Sequence, residues 1–263
     1  MLRLRRAQSA LHNLKSYFDF DRRGNEVVRR TDFTHCPNPV LLIYGFLSTR
    51  RSFEVIERRL RRDGHCVFSI NLGGAFDVFN TRGIDESAAK VRDKIEKLYT
   101  RYTLGPLTII GHSKGGLIGR YYVKRLGGER RVRSLITLGT PHNGTPMAYL
   151  GVATVGLLAP SAWQMRPMSP FIRRLKEGGW HPGVRFVSIY SKDDRFSLYP
   201  SPLLETEGQP QLANVEVEGI GHHDFLVKKR VYDIVAAELA RQLGTAVADE
   251  PIAADDPTVD LAP

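Results

Sequence analysis

LTIIGHSKGG, residues 107–116, runs from four apolar or β-branched residues into a serine flanked by glycines. The first four read as a buried strand, and the stretch from Gly115 to Leu126 reads as a helix. Between them Gly111, Ser113 and Gly115 satisfy G-x-S-x-G. Five residues alone are a weak pattern, and an inert serine in a glycine-rich turn would match it. A strand leading in and a helix leading out are the context that a nucleophile elbow needs. A serine on so sharp a turn crowds the backbone two residues to either side, which is why glycine is wanted there; Gly116 adds room for helix to meet strand. The turn lifts the hydroxyl to the carboxyl edge of a sheet, beside the positive end of the next helix, where developing negative charge is stabilised.

Outward from the elbow, short apolar runs alternate with longer helical patterns. VLLIY (40–44), CVFSI (66–70), SLITL (134–138), VRFVSIY (184–190) and NVEVE (214–218) read as strands. Helices are expected over 51–62, with Phe53, Ile56 and Leu60 on one face, over 85–102, and over 227–243. This alternation predicts the α/β class: a mostly parallel sheet flanked by helices. A basic segment (1–37) precedes the expected domain (38–244). The apolar, Gly- and Pro-punctuated stretch 145–180 breaks the alternation where a lid or cap would sit. An acidic Ala/Asp/Pro-rich tail, 245–263, has five acids and no base and is expected to be disordered.

The 263 residues suit one domain. The net charge is +10, with 14 Lys/Arg against 6 Asp/Glu in residues 1–62. That field could attract an anionic surface, but no nucleic-acid-binding signature accompanies it, and no nucleic-acid partner is expected. Leu4, Ala7, Leu11, Leu14 and Phe18 recur at helical spacing among Arg3, Arg5, Arg6 and Lys15. This basic amphipathic pattern fits a helix packed on the domain, with peripheral contact to an anionic membrane or an organelle-targeting role as alternatives. Neither a spanning segment nor a secretory h-region is evident, so the expected location is cytoplasmic, with a membrane-peripheral variant. Cys36 and Cys66 exclude a disulfide-rich scaffold and are expected to be free, buried thiols; one bridge is the alternative.

A serine hydroxyl needs a base to take its proton and a carboxylate to orient that base. In this architecture the chain order is Ser, acid, His. His142 comes too early for an acid to precede it, and His181 lies before the strand expected to deliver the acid. His222, in the loop GIGHHDF after the last strand, is the expected base. Adjacent His222 and His223 with Asp224 make a poor metal site, and no metal is expected. The acid should end the strand 184–190, where Asp193 and Asp194 both stand.

These segments resemble bacterial lipases and esterases of the α/β-hydrolase superfamily, especially small triacylglycerol lipases. GHSKGG (111–116) is similar to their GHSMGG or GHSQGG, and LGTPHNGTP (138–146) to LGTPHxGS. SIYSKDD (188–194) is similar to IYSxxD, whose last aspartate falls on Asp194, and VEGIGHHDFL (217–226) to GVGHxxL, whose histidine falls on His222. The resemblance covers about 38–243. It implies a Ser113–His222–Asp194 triad, an oxyanion hole from the backbone N–H groups of Phe46 and Lys114, no cofactor, and an ester or lipid-like acyl substrate. A thioesterase, a phospholipase or a non-catalytic lipid-binding module would share the framework. The chain departs from the pattern in two places. Tyr44-Gly45 replaces the usual His-Gly, and Lys114 stands where Met, Gln or Leu is commoner, its side chain expected to form a helix-surface ion pair or to meet an anionic group.

Overall fold

The computed structural model describes residues 31–74, 79–155 and 159–248. Six strands form one sheet: β1 (Pro39–Ile43), β2 (Cys66–Ser69), β3 (Leu107–His112), β4 (Val132–Leu138), β5 (Arg185–Tyr190) and β6 (Leu212–Glu216). Their order is β2-β1-β3-β4-β5-β6, with every neighbouring pair parallel. β1 and β3 are buried along their whole length, the pattern of a strand covered by helices on both faces, whereas β6 at the edge is half-exposed.

The helices are α1 (Glu54–Arg62), entered through a 3₁₀ turn at Arg50–Phe53, α2 (Ile84–Arg101), α3 (Lys114–Arg125) and the closing α7 (Lys229–Ala248). Each turns its apolar stripe inward: Ile56 and Leu60 from α1, Ala88, Val91 and Ile95 from α2, Leu117, Ile118 and Tyr122 from α3. Between β4 and β5 lie three short helices, α4 (Met147–Val155), α5 (Pro160–Gln164) and α6 (Pro170–Lys176). Apolar residues of α4 and α5 lie over the carboxyl edge of the sheet beside Ser113, whereas α6 packs against the far end of α3, Phe171 stacking on Tyr121. Among the described residues no helix is long and apolar enough to cross a membrane.

The chain runs from β1 outward to β2, then returns past β1 to β3 and continues the other way. The carboxyl ends of β1 and β3 therefore feed loops that diverge, and an open parallel sheet has its ligand crevice at this switch point.

Three expectations need correction. Cys36 and Cys66 are joined in a disulfide rather than free. Parallel pairing sets Pro39 opposite Cys66, and Cys36, three residues upstream, reaches it with the two Cα atoms 5.7 Å apart, within bonding range. The closing helix also runs to Ala248, so residues 245–248 extend it rather than begin the tail. The last strand is shifted two residues upstream of 214–218. The amphipathic pattern of residues 1–18 and the acidic stretch after residue 248 lie outside the described residues.

Candidate active site

At the end of β3 the backbone of Ser113 has φ 54° and ψ −125°, a conformation that costs a non-glycine residue of the order of 1–3 kcal/mol and persists only where its surroundings impose it. The surroundings are specific. The Ser113 N–H donates to Leu138 O at 2.9 Å, and its carbonyl accepts from Thr140 Oγ1 at 3.0 Å. A Cβ on Gly111 would lie 2.6 Å from Gly116 Cα, and one on Gly115 only 2.0 Å from Ile43 O. The glycines thus let α3 start hard against the ends of both β3 and β1. Although Ser113 occupies the N-cap position, its side chain caps nothing in the helix.

His222 is buried in the loop after β6, and its Nδ1 lies 2.8 Å from Asp194 Oδ2. The other Asp194 oxygen accepts from the N–H groups of Phe196 at 2.8 Å and Ser197 at 3.1 Å. Burial pushes the Asp194 carboxyl up, but the His222 charge and these hydrogen bonds outweigh it, leaving the pKa below the ordinary aspartate value. With Nδ1 donating to Asp194 Oδ2, Nε2 is the ring nitrogen on the opposite side of the imidazole. Asp193 is engaged elsewhere: its Oδ2 accepts from Gly219 N–H at 2.7 Å, bracing the loop that carries His222.

Two residues that the sequence reading passed over hold the histidine. Phe196 stacks on its ring at 5.0 Å, and His112 Nε2–H donates to His222 O at 2.9 Å. His112 directly precedes the serine, so one short turn both presents Ser113 and anchors the backbone of His222. Burial, then repulsion from His222 and His223, holds the His112 pKa well below 6.5, so it is a neutral donor. His223 is beside His222 with its ring 5.6 Å away, and burial brings its pKa down to about 3. His142 is buried under the sheet edge against Thr137 and Phe186, while His181 is exposed and accepts from Gly183 N–H.

Ser113 and His222 line one cavity of about 180 Å³. Phe46 and Leu47 close it from the loop after β1, Met147, Ala148, Leu150 and Gly151 from α4, and Ala162 and Met165 from α5 or its end. Its wall is almost entirely apolar. Lys114 opens α3 directly after the serine, and Phe46 follows Gly45 in the loop after the neighbouring strand β1, so both candidate backbone donors flank the switch point. Among the described residues the Lys114 side chain forms no ion pair, contrary to expectation. It is fully buried, and its Nζ donates to Asn80 O at 3.0 Å, Asn80 Oδ1 at 2.7 Å and Arg82 O at 2.6 Å. The reason is geometric: the first turn of α3 faces inward under the loop ending at Arg82, not toward solvent.

The model of the family described as alpha/beta hydrolase fold matches residues 38–151. Triacylglycerol lipases from Pseudarthrobacter phenanthrenivorans and Burkholderia plantarii are each 30% identical over 118 residues, 42% of this chain but 35% and 31% of theirs. The match thus spans about a third of the length of these relatives. Among solved structures, Aspergillus fumigatus lipase B has a TM-score of 0.61 at 18% identity, covering 78% of this chain and 52% of its own. Est1E from Butyrivibrio proteoclasticus has a TM-score of 0.60 at 16% identity, covering 82% and 94%. With the parallel sheet and the elbow at its switch point, these matches make the chain an α/β-hydrolase-fold protein, similar to lipases and esterases.

Proposed function

We propose that the chain is a serine hydrolase cleaving carboxylic esters of an acyl, lipid-like substrate. The observation that carries the reading is a single apolar cavity lined by both Ser113 and His222, with a buried, ionised Asp194 on the far side of the imidazole. In this reading Ser113 Oγ attacks the ester carbonyl carbon while His222 Nε2 takes the hydroxyl proton. The oxyanion is met by the N–H groups of Phe46 and Lys114, each worth about 3–4 kcal/mol in sites of this kind. Collapse of the tetrahedral adduct breaks the bond to the alcohol, which leaves with the proton from His222. Water then gives its proton to His222 and attacks the acyl-enzyme, and the carboxylic acid departs as Ser113 regains its hydrogen.

The cavity also bounds the acyl group. A dry apolar cavity of about 150 Å³ holds a benzene molecule, so the 180 Å³ here encloses six to eight carbons at roughly that packing. A longer chain would emerge over the exposed Tyr149, Leu150 and Trp163 on α4 and α5. The polar surroundings of Asp194 and the greasy wall fit an ester better than a charged or sugar substrate.

A fluorophosphonate probe should form an adduct on Ser113 of the folded protein and none on S113A. A series of p-nitrophenyl esters should then show kcat/KM highest for acyl chains of about six to eight carbons. Absence of any adduct on wild-type Ser113 would sink the hydrolase reading; labelling with a flat chain-length profile would refute the acyl-pocket assignment.

A further inference from the structure

Lys114 is buried completely beside the nucleophile, burial holding its pKa well below the ordinary lysine value, in a position where the elbow uses only the backbone amide. Burying an ammonium is costly unless its hydrogens are satisfied with good geometry. Here all three acceptors come from one short strap: Asn80 O, Asn80 Oδ1 and Arg82 O. Among the described residues no carboxylate joins them, and Glu86 on α2, whose charge reaches Lys114, pairs with Arg82 instead.

What Asn80 does with its remaining groups is decisive. Its Nδ2 donates to Tyr44 O at 2.9 Å, its N–H donates to Ser48 O at 3.3 Å, and its carbonyl accepts from Leu47 N–H at 3.4 Å. Those three bonds span residues 44–48, the loop that holds Phe46 and in which Leu47 sits at φ 52°. The same strap also braces α5: Thr81 O accepts from Ser161 Oγ at 3.1 Å, and Ile84 N–H donates to Gln164 Oε1 at 2.6 Å. An ammonium with three directional donors can fix Asn80 in this way; an apolar side chain of similar length cannot.

We propose that Lys114 is a positioning residue that acts through Asn80 to fix loop 44–48, and with it the Phe46 amide, for oxyanion binding. This rests on the hydrolase reading above. Lys114 then contributes to both halves of the oxyanion site, one donor being its own N–H and the other being set in place by its side chain. Preorganisation of such donors acts on the transition state rather than on substrate binding.

The experiment compares wild type, K114Q and K114M in three measurements: fluorophosphonate labelling rate, kcat and KM on a p-nitrophenyl ester, and hydrogen exchange at the Leu47 and Asn80 amides. In K114M the labelling rate and kcat should fall about 10- to 100-fold with KM within about threefold, the signature of an interaction made in the transition state. Exchange at the two amides should accelerate at least about tenfold. K114Q, which can still donate to Asn80 Oδ1, should recover part of each loss. A folded K114M that labels within about twofold of wild type, or that slows without faster exchange at Leu47 and Asn80, overturns the proposal. Should K114M fail to fold, N80A takes its place with the same expected and overturning results, since it removes the tie to Tyr44 O. Wild type that never labels overturns the hydrolase reading instead, and the exchange measurement still decides whether Lys114 holds the loop.

Discussion

Lowering the pH from 7 to 5 should cost this fold at least about 2 kcal/mol through His223, with His112 and His142 acting in the same direction. His112, His142 and His223 all have folded-state pKa values below the ordinary 6.5, and burial is the main cause in each. Repulsion adds to it: His222 and His223 act on His112, Arg120 on His142, and His222 on His223. Above pH 6.5 these side chains are neutral in the folded and unfolded chain alike. Below it, the unfolded chain takes up protons that the folded chain refuses, so stability falls as pH falls, until each folded pKa is reached. For His223 that is about 3, so the loss continues across the whole window. At pH 5, about 1.5 pH units below the unfolded value, His223 costs about 2 kcal/mol at 1.36 kcal/mol per unit, and His112 and His142 add to it. That is a large part of the stability of an ordinary domain, about 5–15 kcal/mol. Asp194 stays out of this window. Its lowered pKa means its contribution is complete above about pH 4 and is lost only as pH falls through the folded value. Urea denaturation at pH 7, 6, 5.5 and 5, with the disulfide oxidised, should give a slope of at least about 1.4 kcal/mol per pH unit below pH 6. H142Q keeps a donor to Thr137 and should reduce the slope. Unfolding free energies at pH 5 and pH 7 within about 1 kcal/mol of each other would refute the argument.

D194N should lower kcat/KM by roughly 10³- to 10⁴-fold, since an amide can hold His222 in the wrong tautomer. D193N, which loses only the bond to Gly219 N–H, should change it less than about threefold; steady-state ester hydrolysis tells the two apart. Replacing Cys36 and Cys66 by serine opens a 30-residue loop and should cost about 3–4 kcal/mol in urea unfolding. In line with this, a thiol reagent should find no free thiol in the denatured, unreduced wild type. G115A places a Cβ 2.0 Å from Ile43 O and should lower stability by at least about 2 kcal/mol while slowing probe labelling of Ser113. Thermal unfolding indistinguishable from wild type would contradict that contact.

The strands of the sheet centre were legible because burial on both faces writes an uninterrupted apolar run: VLLIY for β1 and LTII for the start of β3 differ from the observed bounds by no more than two residues. The edge strand β6 was placed two residues late, its half-exposed sequence having no such run. His112 was legible only as part of a motif, because what it bonds lies 110 residues away. Asn80 had no local signal at all: its importance comes from touching Lys114 and residues 44–48 at once.

Read alone, the sequence determined the α/β class, the serine on its strand-to-helix turn and the histidine after the last strand. Each of those is announced by residues adjacent in the chain: apolar periodicity, glycines around a crowded turn, a flexible loop. Tertiary structure decided the rest. It separated two neighbouring aspartates of the same chemistry by giving Asp194 to His222 and Asp193 to Gly219. Pairing β1 with β2 brought Cys36 to Cys66. Turning the first residue of α3 inward made Lys114 a buried strut instead of a surface ion. Which of two chemically equal groups meets the histidine, and what an unexpected lysine holds, depend on neighbours distant in sequence, and only folding chooses those neighbours.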